Sequence, residues 1–191
     1  MGGTSTTITI PSIMISLADG NLIKAQLLLG TVSGTISDGG GGSAVRDGDF
    51  DNVIIAHEYG HGISNRLTGG PSNSNCLNNA EQMGEGWSDW FGLMLQIQPE
   101  DDGTEVKGIG TYAINEPITG GGIRNFPYST DFGINPLTLT DSNDAESHNR
   151  GETWTAVLWD LTWAYIEKYG FDPDIYNGTG GNNKIMRLVI D

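Results

Sequence analysis

Five consecutive residues constrain this chain more than any others: His57, Glu58, Tyr59, Gly60 and His61. Two histidines four positions apart leave one face of a helix together, so both imidazoles can reach a single ion, while Glu58, one step round, faces whatever that ion carries. The flanking residues agree with a helix. Val53, Ile54, Ile55 and Ala56 are helix-compatible and apolar, Asp49 or Asp51 can cap the start, and Gly69, Gly70 and Pro71 close the element. The pattern is a zinc hydrolase signature, with His57 and His61 as candidate ligands and Glu58 as candidate general base.

A second amphipathic segment follows at residues 79–95, with Ala80, Met83, Trp87, Phe91 and Met94 at helical spacing. Glu85 and Asp89 stand one turn apart on it. Glu85 is the natural third ligand, because two imidazoles and a carboxylate leave the fourth tetrahedral position of zinc open for water, as a catalytic site requires. Asp89 is then placed to hold the outer nitrogen of a ligand histidine and fix its tautomer.

Charge removes other classes of function. With 24 Asp and Glu against 9 Lys and Arg, the formal net charge is −15, which repels nucleic acid and anionic membranes. No apolar run is long enough to span a bilayer, and the first residues lack the order of a signal peptide, so the chain itself does not state a localisation. Cys76 is the single cysteine, which rules out an internal disulfide.

Residues 1–42 differ in texture from the rest. Alternation at Thr7, Ile8, Thr9 and Ile10 predicts a strand, Asp19 and Gly20 open a short helix ending at Gly30, and residues 31–37 read as another strand. Four consecutive glycines, 39–42, form a flexible joint. Past the joint, Asp47, Asp49 and Asp51 imitate a calcium loop, but the sixth position is Asn52 where glycine is needed, and Glu58 belongs to the metal motif, so capping is the better reading.

Residues 96–147 are loop-rich and border the expected cleft. Within them Arg124 and Tyr128 are candidate substrate contacts, the arginine donating to a peptide carbonyl and the tyrosine to an oxyanion; packing of the loop accounts for them equally well. A strong helix is predicted over 151–169 with Trp154, Val157, Leu158, Leu161 and Tyr165 on one side and Gly170 as its stop, and another helix begins near Asn182. Asn177, Gly178 and Thr179 form a glycosylation sequon, meaningful only in a eukaryotic secretory route.

The blocks HEYGHGISNRLTGG, MGEGWSDW, GIRNFPYSTD, GETWTAVLWDL and GTGGNNKIMRLVID resemble, in order, the catalytic domain of the fungalysin metallopeptidases, relatives of thermolysin. The resemblance implies an α+β protein whose catalytic lobe, residues 43–191, is mainly helical after a short β-rich N-terminal segment. Residues 1–42 resemble the final portion of a protease-associated domain. The implied activity is that of a secreted, extracellular zinc endopeptidase acting on protein or peptide substrates. Zinc would be held by His57, His61 and Glu85 with Asp89 behind them, Glu58 would be the general base, and His148, the third histidine, would stabilise the oxyanion. Calcium is a second implied cation, for which Asp131, Asp141, Asn143, Asp144 and Glu146 offer oxygens, although a solvated loop is the simpler reading. The family also leads one to expect an upstream N-terminal β lobe and a downstream partner for Cys76, so the chain reads as a fragment and is expected to be a poor peptidase alone. An aminopeptidase, and a non-catalytic binding or structural module that keeps zinc for stability, are the rival readings. The missing acidic anchor for a free N-terminus speaks against the first, and Glu58 with an open ligand position speaks against the second.

Overall fold

The structure is a computed structural model that describes residues 17–33, 46–79, 83–144 and 146–191. The chain divides into two compact units, residues 1–44 and 45–191. In the first unit the described element is helix α1, Leu17–Leu27, where the sequence predicts a short helix. The predicted strand over 7–10 lies outside the described residues; residues 31–33 of the other are irregular.

In the second unit a short 3-10 turn, Gly48–Phe50, leads into helix α2, Asn52–Gly69. Asp51 makes that start: its Oδ1 accepts from the amides of Val53 and Ile54 at 3.0 and 3.2 Å, and its Oδ2 accepts from Ala113 N at 3.2 Å. One buried carboxylate therefore caps the motif helix and ties it to the long loop. Gly70, at φ 75°, ends α2 by returning its N–H to Arg66 O, a conformation that favours glycine.

Helix α3, Gly84–Met94, is the second amphipathic segment; residues 80–82 at its expected start lie outside the described residues. Helix α4 runs Ser147–Tyr169, four residues longer at its start than the pattern predicts. Glu146 causes the extension by capping: its Oε2 accepts from Asn149 N at 2.9 Å. Helix α5, Gly181–Ile190, begins where the sequence places it.

The buried face of α4 differs from the predicted one. Val157 and Leu161 are 51% and 37% exposed, while Thr155 and Thr162 are fully buried. Hydroxyls explain the rotation. Thr162 Oγ1 donates to Leu158 O at 2.7 Å and accepts from Trp90 Nε1 at 2.9 Å, and Thr155 Oγ1 lies 2.8 Å from Gly86 O. Paired in this way, the two threonines enter the interface without leaving a buried hydroxyl unsatisfied, and Trp90 gains a partner on α4.

Packing is sequential: α2 lies on α3, α3 on α4 and α4 on α5. At the α3–α4 crossing Gly86 meets Gly151 so closely that a Cβ on Gly151 would lie 2.7 Å from Gly86 N. The core gathers Val53, Trp90, Leu93, Leu158, Trp159 and Ile185 from the four helices, and Ile109 and Tyr128 from the loop. That loop is anchored by two isolated bridges, Lys107 to Tyr128 and Ile109 to Gly122. Among the described residues the regular structure is therefore helical, and the β component of the expected α+β fold is not among them.

Candidate metal centre

His57 and His61, one turn apart on α2, face Glu85 in the first turn of α3. His57 Nε2 lies 3.1 Å from His61 Nε2 and 3.1 Å from Glu85 Oε2, and His61 Nε2 lies 3.4 Å from the same oxygen. Ligand bonds of about 2.0 to 2.1 Å in tetrahedral zinc place ligand atoms about 3.3 Å apart, so these three separations fit one ion bound by two imidazoles and a carboxylate. Among the described residues this is the one group of three or more His, Cys, Asp or Glu side chains whose ligand atoms converge.

Asp89, one turn after Glu85 and fully buried, is the hub behind the site. Its Oδ1 accepts from His57 Nδ1 at 2.6 Å and Arg124 Nη2 at 2.8 Å; its Oδ2 accepts from Arg124 Nε at 2.7 Å and the Tyr128 hydroxyl at 2.6 Å. With Nδ1–H directed at Asp89, the His57 ring presents Nε2 to the ligand position.

The charges respond to this crowding. Burial opposes a charged His57, but the hydrogen bonds to Asp89 and Glu85 outweigh it and raise the imidazole to about 9. Burial likewise opposes ionised Glu85 and Asp89, yet His57 and His61 hold the first carboxyl well below its usual range, and Arg124 and His57 lower the second. Arg124 is driven further toward its charged form, because its bonds to Asp89 outweigh its burial. The carboxylates are thus balanced by His57 and Arg124, and an ion held by His57 Nε2 would displace the proton there.

His148 comes to the same place from the first turn of α4. Its Nε2 is 3.3 Å from Glu85 Oε2, and its Nδ1 is 2.7 Å from Glu146 Oε1. Glu146 therefore caps α4 with one oxygen and aims His148 with the other. The sequence pattern groups Glu146 with calcium oxygens instead; a carboxylate two residues ahead of a histidine at a helix start is the signal for its actual role. The other acids of that group are engaged in the loop: Asp131 accepts from Gly133 N, Asp141 from Thr138, and Asp144 from Glu146 N.

Two further candidates differ in their surroundings. Glu58 is not one of the converging ligands; it is exposed and lines an open recess of about 760 Å³ with Ile55, Tyr59, Leu95 and Gln96. Tyr128 must be corrected: it is 0% exposed, its hydroxyl is committed to Asp89, and burial reinforced by the Asp89 charge pushes its phenol up, so it cannot touch a substrate. Its apolar ring belongs to the core and its polar end to the hub. Arg124 gives Asp89 only two of its five N–H groups, and its side chain is 9% exposed.

Comparison with known families agrees with this geometry. The fungalysin metallopeptidase family matches residues 14–191. The chain belongs to that family. Its relatives include the extracellular metalloproteinase MEP of Neosartorya fischeri and the extracellular metalloproteinase mep of Aspergillus fumigatus, each 43% identical over 155 residues. Extracellular metalloproteinase 10 of Coccidioides posadasii is equally similar, at 43%. The matched region covers 76% of this chain and 24% of each relative, so the chain spans about a quarter of the length of these relatives. As a fungalysin it has a metal as its cofactor. The family match starts at residue 14, inside the segment whose sequence resembles an accessory module.

Proposed function

We propose that this fungalysin chain carries the centre of a zinc endopeptidase that hydrolyses peptide bonds of extracellular proteins. The observation that carries the reading is the spacing of His57 Nε2, His61 Nε2 and Glu85 Oε2 at 3.1, 3.1 and 3.4 Å, with Glu58 left free of the ligand set on the same helix. A zinc ion held there would supply a Lewis acid that polarises the scissile carbonyl and acidifies a water. Glu58 accepts the proton of that water and returns it to the leaving amine. Asp89 keeps His57 in the ligating tautomer. Arg124 offers its remaining N–H groups to a substrate carbonyl, and His148 donates from Nε2 to the developing oxyanion while Glu146 holds its Nδ1.

The relatives, which are named extracellular, support secretion as part of this reading. Calcium has support only from acidic residues already engaged in loop hydrogen bonds. The deciding experiment replaces Glu58 with Gln, which removes the base and keeps the ligands. Retained zinc with lost peptide hydrolysis is expected; retained hydrolysis assigns the base elsewhere, and lost zinc makes Glu58 a ligand.

A further inference from the structure

Glu152 is a buried acid that the mechanism above leaves unused. It lies one turn after His148 on α4 and is 2% exposed. Its Oε1 accepts from the backbone N–H of Asn125 at 2.9 Å, while its Oε2 is buried and has no hydrogen-bond partner. Burial raises its carboxyl above the usual range, and the Asn125 amide and Arg124 only partly offset this. A carboxylate in such a place costs stability, and a leucine would fill it more cheaply. Costly polar groups next to a site are where function is to be sought.

The position of the bond supplies the function. Asn125 directly follows Arg124, so fixing its amide fixes the turn from which the Arg124 side chain leaves the loop. The side chain of Asn125 adds a second, exposed link, donating from Nδ2 to Asn149 Oδ1 at 2.7 Å, and Asn149 directly follows His148. Asp89 holds the far end of Arg124 from α3. Glu152 thus joins the loop that carries one proposed substrate donor to the helix that carries the other.

We propose that Glu152 is a positioning residue: it registers the Arg124 loop against α4, so that Arg124 and His148 meet the same substrate carbonyl region as one unit. The proposal rests on the reading of Arg124 as a substrate contact. Only a hydrogen-bond acceptor is needed at Oε1, because the donor is a neutral amide.

The test uses the zinc-loaded complete enzyme, a fluorogenic peptide, and the variants Glu152→Leu, Glu152→Gln, Arg124→Ala and the double variant Glu152→Leu/Arg124→Ala. Glu152→Leu should raise KM about tenfold or more with a much smaller change in kcat, since a charge-assisted hydrogen bond is worth roughly 10- to 100-fold and one made alike to substrate and transition state is read in KM. Glu152→Gln should keep KM within about threefold, because its carbonyl still accepts. Adding Glu152→Leu to Arg124→Ala should change nothing more, and zinc affinity should stay at the wild-type value throughout. Wild-type kinetics for Glu152→Leu beside an impaired Arg124→Ala would overturn the proposal and leave the Arg124 reading intact. An unimpaired Arg124→Ala would instead remove the reading beneath it. Additive losses with weakened zinc binding would make Glu152 a general support of the fold and equally overturn its assigned role.

Discussion

Gly151→Ala adds one methyl group at the point where α4 touches the metal-bearing turn of α3. Its Cβ would lie 2.7 Å from Gly86 N, 2.8 Å from Glu85 Cβ and 3.2 Å from Glu85 C. Ordinary carbon contacts are about 3.5 to 4.0 Å, so the helices must part by roughly 1 Å. Forced overpacking costs about 1 to 3 kcal/mol, whereas alanine in place of a helical glycine returns about 1 kcal/mol. The net change is a loss of about 0 to 2 kcal/mol, or up to about 8 °C in Tm at about 2 to 4 °C per kcal/mol. Metal binding is the sharper readout, because the atoms displaced belong to Glu85 while His57 and His61 stay on α2. Ligand separations of 3.1 to 3.4 Å do not survive such a shift, and zinc affinity should fall about 10- to 100-fold in a chelator competition assay. Gly62→Ala is the matched control, since a Cβ there meets nothing within 4 Å and only the gain in helix propensity remains. Gly151→Ala with wild-type zinc affinity and a raised Tm would show that the glycine contact does not set the ligand distances.

Three further outcomes are expected. His61→Ala and Glu85→Ala should each lose zinc on dialysis, measured as metal per chain; full retention in both contradicts the ligand set. In the complete enzyme His148→Ala should lower kcat on the order of 100-fold or more with little change in KM, because its contact forms mainly in the transition state, and a near-normal kcat would return His148 to an ordinary helix-start residue. For Glu152, whose folded-state carboxyl is raised by burial, the folded protein binds the proton more tightly than the unfolded one. Its contribution to stability is therefore most favourable at acid pH and declines as pH rises from about 4.3, the unfolded value, through the raised one. Chemical denaturation should accordingly show wild type losing stability relative to Glu152→Gln over that rise, and a constant difference would mean an unperturbed carboxyl.

What the sequence makes legible is local. The ligand pair His57 and His61 is set by helical spacing, the start of α2 by Asp51 two residues before Val53, and its end by Gly70 at φ 75°. Each is a rule acting within a few residues. The face of α4 escapes such rules because apolar character is a poor guide where a threonine can pair its hydroxyl across an interface, as Thr162 does with Trp90. Tyr128 escapes them for a related reason. An aromatic residue beside an arginine in a loop looks like a cleft residue until the fold buries it at 0% exposure.

The least legible part is also the part that makes the site rigid. Asp89 accepts four hydrogen bonds from His57, Tyr128 and twice from Arg124, residues 32, 39 and 35 positions away in the chain. The His57 bond follows from the two motifs, but no periodicity encodes those of Arg124 and Tyr128, which exist only once the loop has folded over α3. Yet an ionised carboxylate at this depth is tolerable only because those donors surround it, and each partner is held in turn by what it satisfies. The motif supplies ligands that any helix could present. The loop supplies the buried donors that make Asp89 an anion, and through it fix the orientation of His57, so the metal chemistry of α2 depends on residues from a stretch with almost no regular structure of its own.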